Sequence, residues 1–384
     1  MTLSRRLWFV YLSGFLIAGH YALVAYVNSS LLSNFASNSY LNILYIVGSL
    51  LSIACLSLAP ILFRKYGSVL TFTIFIGLQI IAILGLGAIQ TAILLICLFL
   101  LHQATESVLY FCLDVHLEQE TGAEDTTGGK RGAFLTIQNI AWISSPFLLS
   151  ILITGQNYSR AYILSGLLLL PLLLIVVTLF KDTKKADRIE SNLWQALRSI
   201  KTISDETRII GAQFVLNFFY AWMVIYLPLL LTKEIGFGWD KIGIIFTIML
   251  LPFLLFEWPV GLIGDHKLGE KEFLIAGFII IAATTAVLPI LGQASFIIWA
   301  LVLFGTRVGA SLVEISSESY FFKHVKEDNT ALISLFRMVR PLSFILAPLV
   351  ALPVIHYFSY SNSFYLIAAF ALLGLIFIPK VDTR

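Results

Sequence analysis

The chain has 384 residues, 59% of them hydrophobic and 12% charged, with a formal net charge of +3. A soluble domain carries about a quarter charged residues. Charge is therefore too scarce to cover this core with a water-facing shell, and the solvent for most of the surface is lipid. A single soluble globule is excluded, and no basic–aromatic patch suits a nucleic-acid partner.

A helix needs about 20 apolar residues to cross the hydrocarbon. Arg5 and Arg6 precede an apolar run from Leu7 to Val27, too long for a secretory signal, which reads as a retained first span. The polar segment Asn28–Ser39 separates it from the second. Continuing along the chain gives twelve candidate spans, at roughly 7–28, 40–62, 69–89, 92–115, 132–154, 160–180, 209–231, 241–262, 272–292, 296–320, 331–354 and 362–379. The expected fold is an all-α membrane protein.

Basic residues orient the spans, because Lys and Arg accumulate in cytoplasmic loops. Of 25 such residues, nineteen fall on the side of the two termini. Three (Arg160, Lys233, Lys241) fall on the other side, and three (Arg307, Arg337, Arg340) lie inside spans. Both termini are expected in the cytoplasm, in a multi-pass protein of the cytoplasmic (inner) membrane.

The longest polar stretch, Lys181–Arg208, divides the spans into six and six. Expected domains are an N-terminal bundle at 1–180, a cytoplasmic linker at 181–207 and a C-terminal bundle at 208–384. Within the linker Leu193, Trp194, Leu197 and Ile200 recur at helical spacing after Ser191, as in a short helix lying on the membrane surface; a disordered linker is the alternative. The two parts show weak internal similarity, for example Phe63–Gly67 after span 2 and Asp265–Gly269 after span 8. Repeated six-span parts with a site between them are an architecture of secondary transporters.

The turn after span 8 reads GLIGDHKLGEK, Gly261–Lys271. Gly261, Asp265, Gly269 and Lys271, with His266 and Lys267, resemble the loop signature of the major facilitator superfamily. In the first part Arg64, Lys65 and Gly67 remain, but Phe63 stands where the aspartate belongs. The resemblance implies two six-helix bundles that rock about a central site, with Asp265 capping span 5 near Gly132 as a cytoplasmic latch. Asp114, Arg131 and Glu318 join it at that gate. A plain cytosolic turn is the alternative reading of the same residues.

Ionisable groups inside spans need a partner or a cavity. His102 and Glu106 share a face of span 4; Arg307, Glu314 and Glu318 form one stripe on span 10; Arg337 and Arg340 share a face of span 11. Glu314 is expected to pair with Arg340 or Arg337 beside a cavity. Glu106, with only His102 and His20 at its level, is a candidate proton carrier, a partner in a structural hydrogen bond, or a substrate contact. Asp114 and Glu318 are expected to pair with Lys130, Arg131 or Lys267, and Glu257 with loop bases as well. Gln138, Asn139, Gln213 and Asn217 are candidate path-lining residues, with Tyr220 and Trp222 as walls.

The expected function is secondary transport of a small organic solute by alternating access, coupled to protons, with a single chain as the working unit. The in-span arginines lean toward an anionic or polar solute and the 14% aromatic content toward an amphipathic one. The alternatives are proton-antiport export of hydrophobic drugs or lipids, and a non-transporting receptor on the same fold. Span 5 keeps only Pro146 of the glycine-rich proline motif that exporters of the superfamily carry, which weighs against the first of these. No phosphate-binding GxxxxGK[ST] loop occurs, so ATP hydrolysis by that route is excluded. No cofactor and no metal are expected: His102, Glu106, His116 and Glu118 lack HExxH spacing. Cys55, Cys97 and Cys112 read as small buried hydrophobes.

Overall fold

A computed structural model describes residues 5–33, 38–89, 91–121, 127–153, 157–182, 205–266, 269–324 and 330–379. Lipid offers no hydrogen-bond partner, so a crossing chain must satisfy its backbone internally, as helices do. Every regular element among the described residues is helical. The long ones are α1 (Arg5–Ala25), α2 (Asn38–Tyr66), α3 (Ser68–Ala88), α4 (Ala92–Thr121), α5 (Thr127–Leu152) and α6 (Ser159–Leu179). After the linker come α7 (Asp205–Leu229), α8 (Trp239–His266), α9 (Glu270–Thr285), α10 (Phe296–His324), α11 (Thr330–Tyr357) and α12 (Ser363–Leu372).

Eleven of these segments are long and apolar enough to cross a membrane. The twelfth differs from expectation: α12 runs into a 3-10 turn at Leu373–Phe377, and the pair spans only Ser363–Phe377. The amphipathic linker helix expected around Leu193–Ile200 lies outside the described residues.

Successive long helices alternate in direction, and three contacts show which ends share a face. Arg6 at the start of α1 reaches Glu120 at the end of α4, at 4.0 Å. The Arg131 side chain at the start of α5 touches Glu318 near the end of α10. Arg208 at the start of α7 lies 3.4 Å from the carbonyls of Ile376 and Ile378, where the described chain ends. Both described ends therefore lie on one face, called here the chain-end face.

Helices of the two sequence halves meet along α5 with α8 and along α2 with α11, and the first seam is the most extensive helix contact in the molecule. It is close because a glycine from each helix faces the other's backbone. A methyl group at Gly132 of α5 would fall 2.9 Å from the Glu257 carbonyl oxygen; one at Gly243 of α8 would fall 2.8 Å from that of Pro146. Gly132 lies toward the chain-end face and Gly243 toward the opposite one. Pro146, noted in sequence for a missing motif, is thus half of a helix crossing.

The turn between α2 and α3 is the single residue Gly67, at φ +87°, a conformation that strains any side chain. The acid missing from that turn comes from elsewhere: Asp182, just after α6, accepts a hydrogen bond from the Val69 amide at 3.0 Å. Gly269, expected to allow a tight turn, has φ −68° and ψ 166°, which any residue adopts. Of the three cysteines only Cys112 is buried; Cys97 is exposed.

Candidate functional site

A cavity of about 150 Å³ lies between helices of both halves. Of the expected path residues, Gln138, Asn139, Gln213, Asn217 and Tyr220 line it. So do Arg307, Glu314, Arg337 and Arg340, and the expected gate residues Asp114 and Glu318. Trp222, expected as a wall, is instead fully buried, with its indole N–H 3.2 Å from the Ser363 hydroxyl.

The chain-end side of the cavity is shut by a buried ion cluster. Arg131 enters from α5 and is completely enclosed: Nη1 lies 2.9 Å from Asp114, Nη2 2.5 Å from Glu118, and Nη1 3.6 Å from Glu318. Its guanidinium lies over the Phe322 ring at 3.4 Å. Arg337 of α11 sits between Asp114 (2.5 Å) and Glu318 (2.7 Å). Asp114, Glu118 and Arg131 come from the first half, Glu318 and Arg337 from the second. The pairing of Asp114 and Glu318 with Arg131 is as expected from sequence. Arg337 corrects another expectation, for it joins these two acids rather than Glu314. Glu314 instead accepts a 2.6 Å hydrogen bond from the Tyr220 hydroxyl, and neither Arg337 nor Arg340 lies within ion-pair distance of it.

The latch expected at Asp265 falls on a side chain outside the described residues, as do the side chain of His266 and residues Lys267 and Leu268. The residues of α8 that meet Gly132 are Glu257 and Trp258, two turns before Asp265. Gly261 is buried in α8, and Lys271 is half-buried in the first turn of α9. Glu257, expected to meet loop bases, is wholly buried and accepts a 2.5 Å hydrogen bond from Asn139 across the α5–α8 seam.

The opposite side is shut by uncharged contacts. The Tyr226 hydroxyl of α7 donates to Asn42 of α2 at 3.0 Å, and the rings of Tyr26 and Phe246 are 4.7 Å apart.

His20, His102 and Glu106 lie together, as expected, but off the cavity lining and wholly within the first half. His20 Nε2 lies 3.3 Å from Glu106 Oε2, and a fourth side chain joins all three. The amide nitrogen of Gln79, on α3, stands 2.8 Å from His20 Nε2, 2.7 Å from His102 Nδ1 and 2.8 Å from Glu106 Oε2. Thr105 donates to the Gln79 oxygen. His20 is further held by Ser165 of α6 at 2.7 Å. Among the described residues this is the one group whose donor atoms, all within 4.8 Å of one another, could hold a metal ion. The Gln79 amide fills the point such an ion would take, so the group serves as a polar knot tying α1, α3, α4 and α6. Gln79→Leu is expected to lower stability by about 1–3 kcal/mol, the cost of buried polar groups left without partners. Thermal unfolding in detergent measures it. Sequence reasoning missed Gln79, whose signal was a lone amide in an otherwise apolar span.

Residues 209–383 match the sequence profile of the Major Facilitator Superfamily. The match covers a little under half of the chain, which resembles that superfamily over those residues. Solved structures of transporters share its fold over nearly its whole length. The human organic anion transporter MFSD10 (TETRAN) superposes with a TM-score of 0.77 at 12% identity, covering 98% of this chain and 100% of that one. A point mutant of the nucleoside transporter NupG gives 0.72 at 14% identity, covering 98% of each. The proton:xylose symporter XylE, bound to 6-bromo-6-deoxy-D-glucose, gives 0.72 at 13%, covering 99% and 96%. No curated protein matches the chain. The cavity lies between helices of both halves, the position where the sequence repeat leads one to expect a site.

Proposed function

We infer that the chain is a secondary carrier of the cytoplasmic membrane that moves a small organic solute by alternating access, coupled to protons. Two six-helix bundles, residues 1–180 and 208–384, rock about the central cavity, and the chain-end face is the cytoplasmic one. The observation that carries this reading is a charged cavity between the halves, flanked at both ends by contacts that cross from one half to the other. Such contacts can break one at a time. The solutes that the similar structures name, an organic anion, a nucleoside and a sugar, are all small and polar, which supports a solute of that size.

Proton coupling is assigned first to Glu257. Its carboxyl is wholly buried and its Oε1 has no hydrogen-bond partner. No Lys or Arg lies within ion-pair distance among the described residues; its one hydrogen bond comes from Asn139 in the other half. An isolated buried carboxylate is strongly disfavoured, so the closed form holds the protonated acid. Opening the α5–α8 seam wets the carboxyl and lets the proton leave. Glu106, in contact with the His20 imidazole and the Gln79 amide, is the second candidate.

Purified protein in liposomes tests this. Wild type is expected to accumulate solute against its gradient when the outside is acid. Glu257→Gln is expected to lose that accumulation, because its amide cannot release a proton, while retaining solute exchange at equal concentrations. Unaltered pH-driven accumulation in Glu257→Gln, with loss in Glu106→Gln, would move the proton to the first half.

A further inference from the structure

We propose that the solute is a small organic anion with a flat apolar body, its oxyanion held by Arg307 and Arg340. The proposal deepens the transport reading and rests on it, but its observations concern the cavity alone.

The cavity lining carries three acids, Asp114, Glu314 and Glu318, and three arginines, Arg307, Arg337 and Arg340. These charges are not evenly matched in space. Arg337 is used up between Asp114 and Glu318, where the enclosed Arg131 also reaches both acids. Arg307 and Arg340 then share the rest of the cavity with a single acid, Glu314, which is bonded to Tyr220. Neither arginine has a carboxylate within 4 Å among the described residues. Their guanidinium groups lie against rings instead: Arg307 over Phe219 (5.0 Å) and Tyr220 (5.5 Å), Arg340 over Tyr21 (4.7 Å) and Tyr110 (5.7 Å).

Arg340 also hydrogen-bonds the hydroxyls of Tyr21 and Tyr110, and Arg307 that of Tyr26; these are neutral acceptors, and at Arg307 one N–H group is left over. Arg307 is 2% exposed, and its Nη1 has no hydrogen-bond partner. A buried donor without an acceptor is costly. The fork of a guanidinium matches the two oxygens of a carboxylate. Arg307 and Arg340 are thus the two cations of the lining without a carboxylate partner within 4 Å among the described residues, and an anionic group on the solute would supply one; a cationic solute would be repelled by them, and a neutral one would leave them unpaired.

Size and shape follow from the rest of the lining. Tyr26, Tyr110, Phe134, Trp142, Phe253 and Phe344 supply aromatic walls. A protein cavity of the volume found here, about 150 Å³, holds a benzene molecule. In the closed form the carried body is therefore about one ring or a short chain, and the polar groups Gln138 and Asn217 remain for a single substituent.

The test uses the purified full chain with sodium benzoate, hexanoate and phenyl phosphate as anion probes, and benzamide and benzylamine as neutral and cationic counterparts of benzoate. Calorimetric titration is expected to show benzoate binding, with benzamide and benzylamine at least tenfold weaker. Arg307→Gln and Arg340→Gln should each weaken benzoate about ten- to a hundredfold, and Arg340→Lys should restore part of it. Unliganded melting of each variant establishes that it is folded. The proposal is overturned if benzamide or benzylamine binds as tightly as benzoate, if both glutamine variants bind benzoate like wild type, or if no anion of the panel binds. The liposome arm separates it from the carrier reading. Benzoate that binds but never crosses removes transport and keeps the anion site. Counterflow of a neutral solute indifferent to both arginines keeps transport and removes the anion site.

Discussion

A chain carrying Arg337→Ala is expected to spend most of its time open on the chain-end face. Arg337 is the base of the second half that reaches Asp114 of the first, and it holds Glu318 as well. Removing one partner of a buried ion pair costs about 3–5 kcal/mol, because the other charge stays behind without water. In the closed form Glu318 would keep only the longer contact to Arg131, at 3.6 Å. In an open form Glu318 and Asp114 reach water, so the loss falls on the closed form alone. A shift of about 3 kcal/mol changes the ratio of the two forms about a hundredfold. The reading is the rate at which a membrane-impermeant maleimide, added from the chain-end side, labels a cysteine at cavity residue Asn217, with Cys55, Cys97 and Cys112 replaced by serine. An unchanged rate would deny the cluster its sealing role. Arg131→Ala makes the useful contrast. Two of its three acids, Asp114 and Glu118, belong to its own half and stay beside it in either form. Its loss should lower the melting temperature with a smaller change in labelling.

The second large effect has opposite signs at two positions of one seam. Gly132→Val inserts a side chain against the backbone of Glu257 and Trp258, and Gly243→Val against that of Pro146. Neither obstacle is a flexible side chain tip, so the helices must part where the substitution lies. Gly132→Val is expected to hold the chain-end side open, and Gly243→Val the opposite side. The same cysteine at Asn217 reads both, labelled faster from the chain-end side in the first variant and faster from the other side in the second. Both variants should lose net transport. If both opened the same side, α5 and α8 would be moving as one body rather than pivoting between their two glycines.

Most of the fold could be read because the requirement for apolar crossing helices acts residue by residue. Runs such as Tyr66–Thr105, without a Lys, Arg, Asp or Glu, announce it without any knowledge of neighbours. The ladder of basic residues and the long Lys181–Arg208 stretch were legible for the same reason. Partnerships were harder. Helical periodicity correctly put Arg307, Glu314 and Glu318 on one stripe, and all three face the cavity. It could not tell which acid lies level with Arg337, since depth depends on how α10 and α11 cross. The answer was Glu318, one turn beyond Glu314. Glu257 looked like a loop-facing acid because it is near the end of its span. Only the glycine at 132, on another helix, brings α5 close enough to bury it. Asp182 was unreadable as the acid of the Gly67 turn because it lies more than a hundred residues away. The end of the last helix was overestimated, since composition alone does not reveal a switch to a tighter 3-10 turn.

The two seals differ in kind, and this bears on how the protein would answer its surroundings. Salt bridges weaken as water and dissolved ions gain access, whereas the Tyr226–Asn42 hydrogen bond and the Tyr26–Phe246 ring contact carry no charge. Ionic strength would therefore act on one door and leave the other untouched. The protein would answer asymmetrically: opening at the chain-end face would depend on dissolved ions, and opening at the opposite face on packing alone.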